Sequence, residues 1–198
     1  MRSLLSITQL YLLYQRLVGG IRARQIFVRD YVKPKQDLRI LDVGCGPGYI
    51  VEELPLCDYV GYDINQHYID FANTKYASKG IFVCKELTIE EINSMKPFDI
   101  VLLNGVLHHL DDTTASHILE LSKSALKPDG QLLTMDGCYI PGQHFIDHML
   151  QKYDRGKFVR KEHEYLAIVN KHFSKTQNFI RPDLFYLPYS SIVILAKN

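Results

Sequence analysis

The sequence predicts an α/β fold: a doubly wound sheet of seven strands, mostly parallel, with an antiparallel last strand and helices on both faces. Three observations point there. Apolar runs without alternation, such as "LRILDVG" and "FDIVLLNGVLHHL", suit strands covered on both sides. Between residues 37 and 137 such runs alternate with helical segments, the rhythm of right-handed βαβ units. The last two runs, "TQNFIRP" and "YSSIVILAKN", leave no room for a helix between them, so they should pair antiparallel at the sheet edge.

The elements follow in order. Residues 5 to 32 have helical apolar spacing at Leu10, Leu13, Tyr14 and Leu17, with a break at Gly19-Gly20. Arg16, Arg22, Arg24 and Arg29 give this segment a basic face. Pro34 and Asp37 mark a turn into the first strand. A helix from about Tyr49 to Leu54 follows a glycine loop, and "YVGYDI" is the second strand. "NQHYIDFANTKYASKG" is a helix capped by Asn65 and stopped by Gly80. "IFVCKEL" and "FDIVLL" are strands three and four. "DDTTASHILELSKSALKPDG" is a helix with an acidic, hydroxylated start and an end set by Pro128 and Gly130. "QLLTMDG" is the fifth strand, and helices over 143–152 and 161–173 precede the terminal pair.

With 198 residues the chain suits one domain, 1–198, with a helical N-terminal extension over 1–36 and a helical cap over 137–174. The net charge of +1 provides no global field for nucleic acid. Four cysteines form no Cys-x-x-Cys pair, and no Cys/His group has zinc-finger spacing, so free thiols in a reducing cytoplasm are expected. The N-terminal apolar run is broken by Ser6, Thr8 and Gln9, and no segment is long and apolar enough to span a bilayer.

The chemistry centres on "RILDVGCGPGYI". In an open α/β sheet a ligand sits beyond the carboxyl ends of the strands, where strand order reverses, and the loop after the first strand usually touches it. Gly44, Gly46 and Gly48 allow close backbone approach. Their spacing, G-x-G-x-G, decides little by itself, whereas Asp42 decides more. Its carboxylate would repel a pyrophosphate and attract a ligand bearing an ammonium and a sulfonium, as S-adenosylmethionine (SAM) does. Asp63, ending the second strand, is placed to accept ribose hydroxyls; that suits SAM and a nicotinamide dinucleotide equally.

These stretches resemble the motifs of class I SAM-dependent methyltransferases of the small-molecule type. "LDVGCGPG" resembles the first motif and "GYDIN" the second; "FDIVLLNGVLHHL", "LKPDGQLLTMDG" and "SSIVILAKN" resemble later strands. The resemblance runs from about residue 37 onward. It implies a Rossmann-like sheet, methyl transfer from SAM, and S-adenosylhomocysteine as product. It also implies that Asp42 and the backbone of Gly44, Cys45 and Gly46 hold the methionine end, with Gly48 completing the loop. Asp63 would then hold the ribose, Ile64 pack on the adenine, and Leu87 offer it a backbone amide. Asn104 would meet the ammonium. Lys85-Glu86 departs from the commoner Gly-Asp, and Glu86 takes the place that meets the adenine amino group.

The acceptor is less legible. No Asn-Pro-Pro-Tyr or Asp-Pro-Pro-Tyr follows the fourth strand, which argues against methylation of nucleobase amines and so against DNA; RNA is disfavoured too. No acidic dyad with a histidine is spaced for a divalent metal, so none is expected. His108 and His109 follow the fourth strand, and one of them could act on the acceptor, because histidine titrates near neutrality. The plainer reading makes both structural. The cap supplies Tyr139, His144, His148, Tyr153, Asp154, Arg155 and Arg160. Arg155 and Arg160 could clamp an anionic acceptor or simply bridge the helices. Tyr11, Tyr14, Tyr139 and Tyr189 are candidate pocket walls. The expectation is methyl transfer to a small molecule, anionic and lipid-linked ones included, with oxygen favoured on the strength of the histidines. The alternatives are a non-catalytic SAM-binding module, which turnover would exclude, and an RNA-associated methyltransferase using the basic N-terminal helix, which salt-sensitive RNA binding would reveal.

Overall fold

The computed structural model describes residues 19–154 and 156–198. The helix expected over 5–18, Tyr11, Tyr14 and Arg155 lie outside the described residues.

Chain order builds the sheet from its centre outward. Strand β1 (Arg39–Val43) pairs in parallel with β2 (Asp58–Asp63) on one side and β4 (Phe98–Asn104) on the other. Strand β3 (Ile81–Cys84) adds outside β2, and β5 (Leu126–Tyr139) outside β4. The tail then supplies β7 (Lys175–Arg181) and β8 (Ser191–Lys197). The order is β3-β2-β1-β4-β5-β8-β7, and β8 runs antiparallel to both its neighbours. The strand order reverses between β1 and β4, so the crevice where ligands bind opens at the carboxyl ends of those two strands. An eighth strand, β6 (Arg160–Lys161), was not anticipated; it pairs with Cys138 and Tyr139 at the far end of β5.

Both faces of the sheet are covered. On one face, α1 (Gly20–Phe27) and α2 (Gln66–Tyr76) pack Phe27, Ile69, Ala72 and Tyr76 on Ile40, Leu102 and Val193. On the other, α3 (Ile89–Ser94), α4 (Asp112–Ala125) and α6 (Glu162–Val169) pack Ile92, Leu119, Tyr165 and Val169 on Leu41, Val101 and Leu132. Helix α5 (Phe145–Lys152) stands at the end of β5. The inner strands β1, β4 and β8 show nearly uninterrupted burial because their residues, whichever way they point, meet covered faces, whereas the edge strand β7 has no fully buried residue.

Local chemistry explains the boundaries. Gly19 sits at φ +90°, and helix α1 begins beside it, where the glycine pair predicts a break. Asp37 takes φ +66° in the turn before β1. Asn65 caps α2 by accepting from the amides of His67 and Tyr68. Helix α3 has no counterpart in the sequence-based reading, although Thr88 and Glu91 carry its capping signal; the Thr88 hydroxyl accepts from the Glu91 amide. The segment after the glycine loop is a short 3₁₀ turn, Tyr49–Glu52, rather than a longer helix. Helix α4 ends at Ala125, and Pro128 falls inside the irregular first part of β5, where the pairing with β4 slips. Pro has no N–H for a ladder, which fits a bulged strand start.

The basic residues of α1 face partners of their own. Arg22 donates to the carbonyls of Asp183 and Leu184, Arg24 lies 5.2 Å over the Tyr49 ring, and Arg29 pairs with Asp30 at 2.6 Å. No helix among the described residues is long and apolar enough to cross a membrane.

Candidate functional site

The glycine loop closes on itself. The amides of Gly44 and Cys45 both donate to the Tyr62 carbonyl, and the Gly46 amide donates to Asp63 Oδ2 at 2.8 Å. Gly44, Gly46 and Gly48 all take positive φ. A side chain at Gly44 would meet Val106 at 2.6 Å, and one at Gly48 would meet Phe82 at 2.6 Å. At Gly46 a side chain would meet nothing within 4 Å, so this is the loop's open point. The amides of Gly44, Cys45 and Gly46, expected to face a ligand, are thus turned inward. The loop has to bond its own donors to hold three residues in the left-handed region, and what it offers outward is space.

Asp42 lies beneath the loop, 2% exposed. Tyr59 donates its hydroxyl to Asp42 Oδ2 at 2.7 Å, while Oδ1 has no partner among the described residues. Burial pushes this carboxyl up to about 7; the Tyr59 bond opposes the rise, and the nearby Asp63 charge adds to it. Tyr59 is a partner of Asp42 that the sequence reading did not name. It stands on β2 two positions before Gly61, the residue paired with Asp42, and so shares its face of the sheet.

Asp63 ends β2 at the same level. Its Oδ1 accepts from the Asn65 amide at 2.8 Å and its Oδ2 from Gly46, so it ties the glycine loop to the start of α2. Ile64 follows, 78% exposed, an apolar side chain with no core to enter. Across the sheet edge, Glu86 is exposed on the loop after β3, and Leu87 buries its side chain in the core.

The other wall of the crevice is the end of β4. Asn104 is half-buried there, beside Met135 of β5. Gly105 turns the chain at φ +74°, and Leu107–His109 form a 3₁₀ turn. His108 is buried, and its Nδ1 lies 2.8 Å from Asp136 Oδ1, which also accepts the His108 amide. Its Nε2 lies 3.4 Å from Asp154 Oδ1. Burial pushes His108 down, but Asp136 and then Asp154 outweigh it and hold the imidazole up to about 9. His108 is therefore an imidazolium between two carboxylates, with no lone pair to accept a proton. His109 is exposed, with its ring 4.2 Å from that of His108. Asp136 was not singled out from sequence, and Asp154 was named only among the polar residues of the cap. Asp136 stood inside the apolar "QLLTMDG", where an acid at a strand end was the available signal.

The cap divides. The Tyr139 ring lies 5.4 Å from that of His148, and Tyr153 is 72% exposed beside Lys152. His144 caps α5 by accepting from the Ile146 amide. Arg160, for which the sequence left an acceptor clamp and a bridge between helices both open, points inward and bridges to Asp112. All three of its nitrogens are engaged, by Asp112 and by the carbonyls of Leu107, Leu110 and Phe158. It is only 6% exposed, because the turn after β4 leaves carbonyls that need donors. Arg160 thus pins the cap to the His108 turn.

A reversed terminal strand next to β5, an open glycine loop after β1 and an acid at the end of β2 define the class I SAM-dependent methyltransferase fold. The chain belongs to that family: a family model described as a methyltransferase domain matches residues 41–132. A ubiquinone biosynthesis O-methyltransferase of Bartonella tribocorum is 30% identical over 150 residues, covering 68% of this chain and 60% of that protein. A malonyl-[acyl-carrier protein] O-methyltransferase of Bacillus anthracis is 26% identical over 145 residues, covering 71% of this chain and 51% of that protein. This chain therefore spans between half and two thirds of the length of these two relatives. A TehB-like SAM-dependent methyltransferase from Corynebacterium glutamicum superposes with a TM-score of 0.65 at 17% identity, covering 100% of this chain and 99% of that one. Human N-acetylserotonin methyltransferase, solved with SAM, superposes with a TM-score of 0.65 at 18% identity, covering 90% of this chain and 52% of that one. These likenesses are of fold.

Proposed function

We propose that this protein transfers a methyl group from SAM to an oxygen of a small-molecule acceptor. The observation that carries this reading is the pairing of Asp42 with the loop above it. A buried carboxylate oxygen with no donor among the described residues lies at the foot of a glycine loop whose open point would accept a ligand atom. A cation supplies what that oxygen lacks, and a pyrophosphate does not.

Asp42 and Asn104 would hold the amino-acid end of SAM, at the ends of neighbouring strands. The Asp63 oxygens each keep a second lone pair for the ribose hydroxyls. Ile64 would cover one adenine face, with Glu86 and the Leu87 backbone at the base's edge. SAM supplies an already activated methyl group when bound. The chain's own task is then to position the acceptor and exclude water. His108, held between Asp136 and Asp154, would fix the turn after β4 rather than act on the acceptor. His109, on the exposed side of that pair, is the residue placed to take a proton from an acceptor hydroxyl. Tyr139, His144 and Tyr153 would border the acceptor's entry.

Both named relatives are O-methyltransferases, which favours oxygen over nitrogen. Exposed Phe145, Ile146 and Tyr153 at the cap favour an acceptor with an apolar part. The internal pairing of Arg22, Arg24 and Arg29 weighs against an RNA partner.

The test has two arms. S-adenosylhomocysteine should raise the melting temperature and a nicotinamide dinucleotide should not. Labelled SAM with phenolic and carboxylate acceptors should then yield a labelled ether or ester. Stabilisation by the dinucleotide alone would overturn the cofactor assignment. Stabilisation by S-adenosylhomocysteine with label appearing only on nitrogen would overturn the acceptor assignment.

A further inference from the structure

At the end of β4 and β5 the fold brings two adjacent imidazoles together with a carboxylate that is remote from them in sequence. We infer that His108 Nε2, His109 and Asp154 bind a divalent transition-metal ion of the zinc class, with Asp136 orienting His108 from behind. His108, His109 and Asp154 each offer one ligand atom, and these atoms all lie within 4.8 Å of one another.

The geometry is that of a site. Ligand atoms about 2.1 Å from a tetrahedral metal stand about 3.4 Å apart. His108 Nε2 and Asp154 Oδ1 are 3.4 Å apart. That distance is long for an N–H···O hydrogen bond, which prefers about 2.9 Å, and it matches the edge of a coordination tetrahedron. Asp136 has the position an outer carboxylate takes in such sites. It accepts from His108 Nδ1 at 2.8 Å, which leaves Nε2 as the coordinating atom facing Asp154. His109 is exposed beside His108, its ring centroid 4.2 Å away, and its ligand nitrogen lies within 4.8 Å of the other two ligand atoms.

The surroundings hold the pair in place before any ion arrives. Asp154 Oδ1 accepts the Gly156 amide at 2.7 Å, and Phe158 donates its amide to the His108 carbonyl at 2.9 Å. A side chain at Gly156 would fall 1.9 Å from the His108 ring, so only glycine lets this loop come so close. Arg160 anchors the same segment from the far side.

The donor set selects the ion. Imidazole nitrogen suits zinc, cobalt and nickel, whereas magnesium and calcium prefer oxygen alone. An ion at this position would replace the proton that His108 now shares with its two carboxylates, and that proton would leave to solvent. Three protein ligands leave one position of a tetrahedral ion open. If the methyl-transfer reading holds, that position takes the acceptor oxygen, and the ion, with His109 as its ligand, replaces His109 as the group that favours loss of the acceptor's proton; metal binding itself does not depend on that reading.

The test uses the full chain without SAM. Protein stripped by a chelator is titrated with Zn²⁺ in mildly alkaline buffer by calorimetry, with Mg²⁺ in parallel, and Co²⁺ is followed by its visible absorption. The expected result is one saturable Zn²⁺ site per chain, a higher melting temperature with Zn²⁺ and none of this with Mg²⁺. His109→Ala and Asp154→Asn should each weaken Zn²⁺ binding at least tenfold, and Asp136→Asn roughly 10- to 100-fold. Circular dichroism of His109→Ala, an exposed position, verifies that its fold is intact. Absence of saturable uptake overturns the proposal, and so does uptake that His109→Ala and Asp154→Asn leave unchanged. Neither result bears on whether SAM binds, because SAM is absent from every arm.

Discussion

At the end of β1, Asp42 is buried against the hydroxyl of Tyr59; two strands away, at the end of β5, Asp136 is buried against the imidazolium of His108. The same physical problem, a carboxylate out of water, is met by a neutral donor in one place and by a cation in the other. The cost appears in the first case as a carboxyl pushed up to about 7. In the second it is offset by a histidine held up to about 9. Each group binds its proton more tightly folded than unfolded. Asp42 therefore favours the fold at low pH, and that contribution is lost as pH rises from the ordinary aspartate range through about 7. The contribution of His108 is complete below about 6.5 and is lost as pH rises through about 9. A charge-paired end resembles finished structure. An end with a lone buried carboxylate resembles a socket for a cation from outside.

The largest test removes the cation. His108→Ala leaves Asp136 and Asp154 without their partner, and breaking a buried pair of this kind costs roughly 3–5 kcal/mol. Urea unfolding near neutral pH should show that loss. The fall in stability between the histidine's unfolded and folded titration ranges should flatten in the variant. A loss under about 1 kcal/mol would mean that the carboxylates reach water and that the contrast with Asp42 is unfounded.

The second test is smaller and splits two quantities that usually move together. Asp42→Asn keeps an acceptor for Tyr59 and removes a charge whose burial is unfavourable. Without ligand, the variant should be more stable than the parent above neutral pH, by about 1–3 kcal/mol, with no difference at pH well below the carboxyl's range. Its affinity for SAM should fall at least tenfold, since a neutral amide cannot attract the ammonium. Urea unfolding and calorimetry on the same preparation decide it. If stability and affinity fall together, Asp42 is a structural residue and the socket reading is wrong.

The fold was largely legible because its signals are local. Uninterrupted apolar runs marked β1 and β4, Asn65 announced α2, and the short gap before "YSSIVILAKN" betrayed the reversed strand. Helix α3 escaped notice despite Thr88 and Glu91, because it is brief and mostly exposed. The site divides the same way. Residues grouped by one motif, from Asp42 to Gly48, were found together. His108, Asp136 and Asp154 come from three segments and meet only after β5 and the cap fold. No spacing rule reaches that far, and the choice between clamp and bridge for Arg160 stayed open for the same reason. Its partners are carbonyls, which leave no trace in side-chain sequence.

The smallest effect sharpens the cofactor end alone. Ile64 and Leu87 are both aliphatic and both flank the expected adenine position, yet Ile64 is 78% exposed and Leu87 is 3% exposed. Leu87→Ala opens a cavity in the core and should cost about 2–5 kcal/mol of stability. Ile64→Ala removes side chain that contacts mostly water, so the free protein should unfold as before. If adenine covers that side chain, burying about half of it contributes roughly 1 kcal/mol. The variant should then bind SAM about fivefold more weakly. Calorimetry with SAM and with free methionine separates this from a general defect, since methionine has no base to lose contact with Ile64. Equal weakening toward both ligands would place the adenine elsewhere and detach Ile64 from the site. Weakening toward SAM alone would identify this exposed isoleucine as a ligand surface, explaining why an apolar side chain stands in water at the tip of β2.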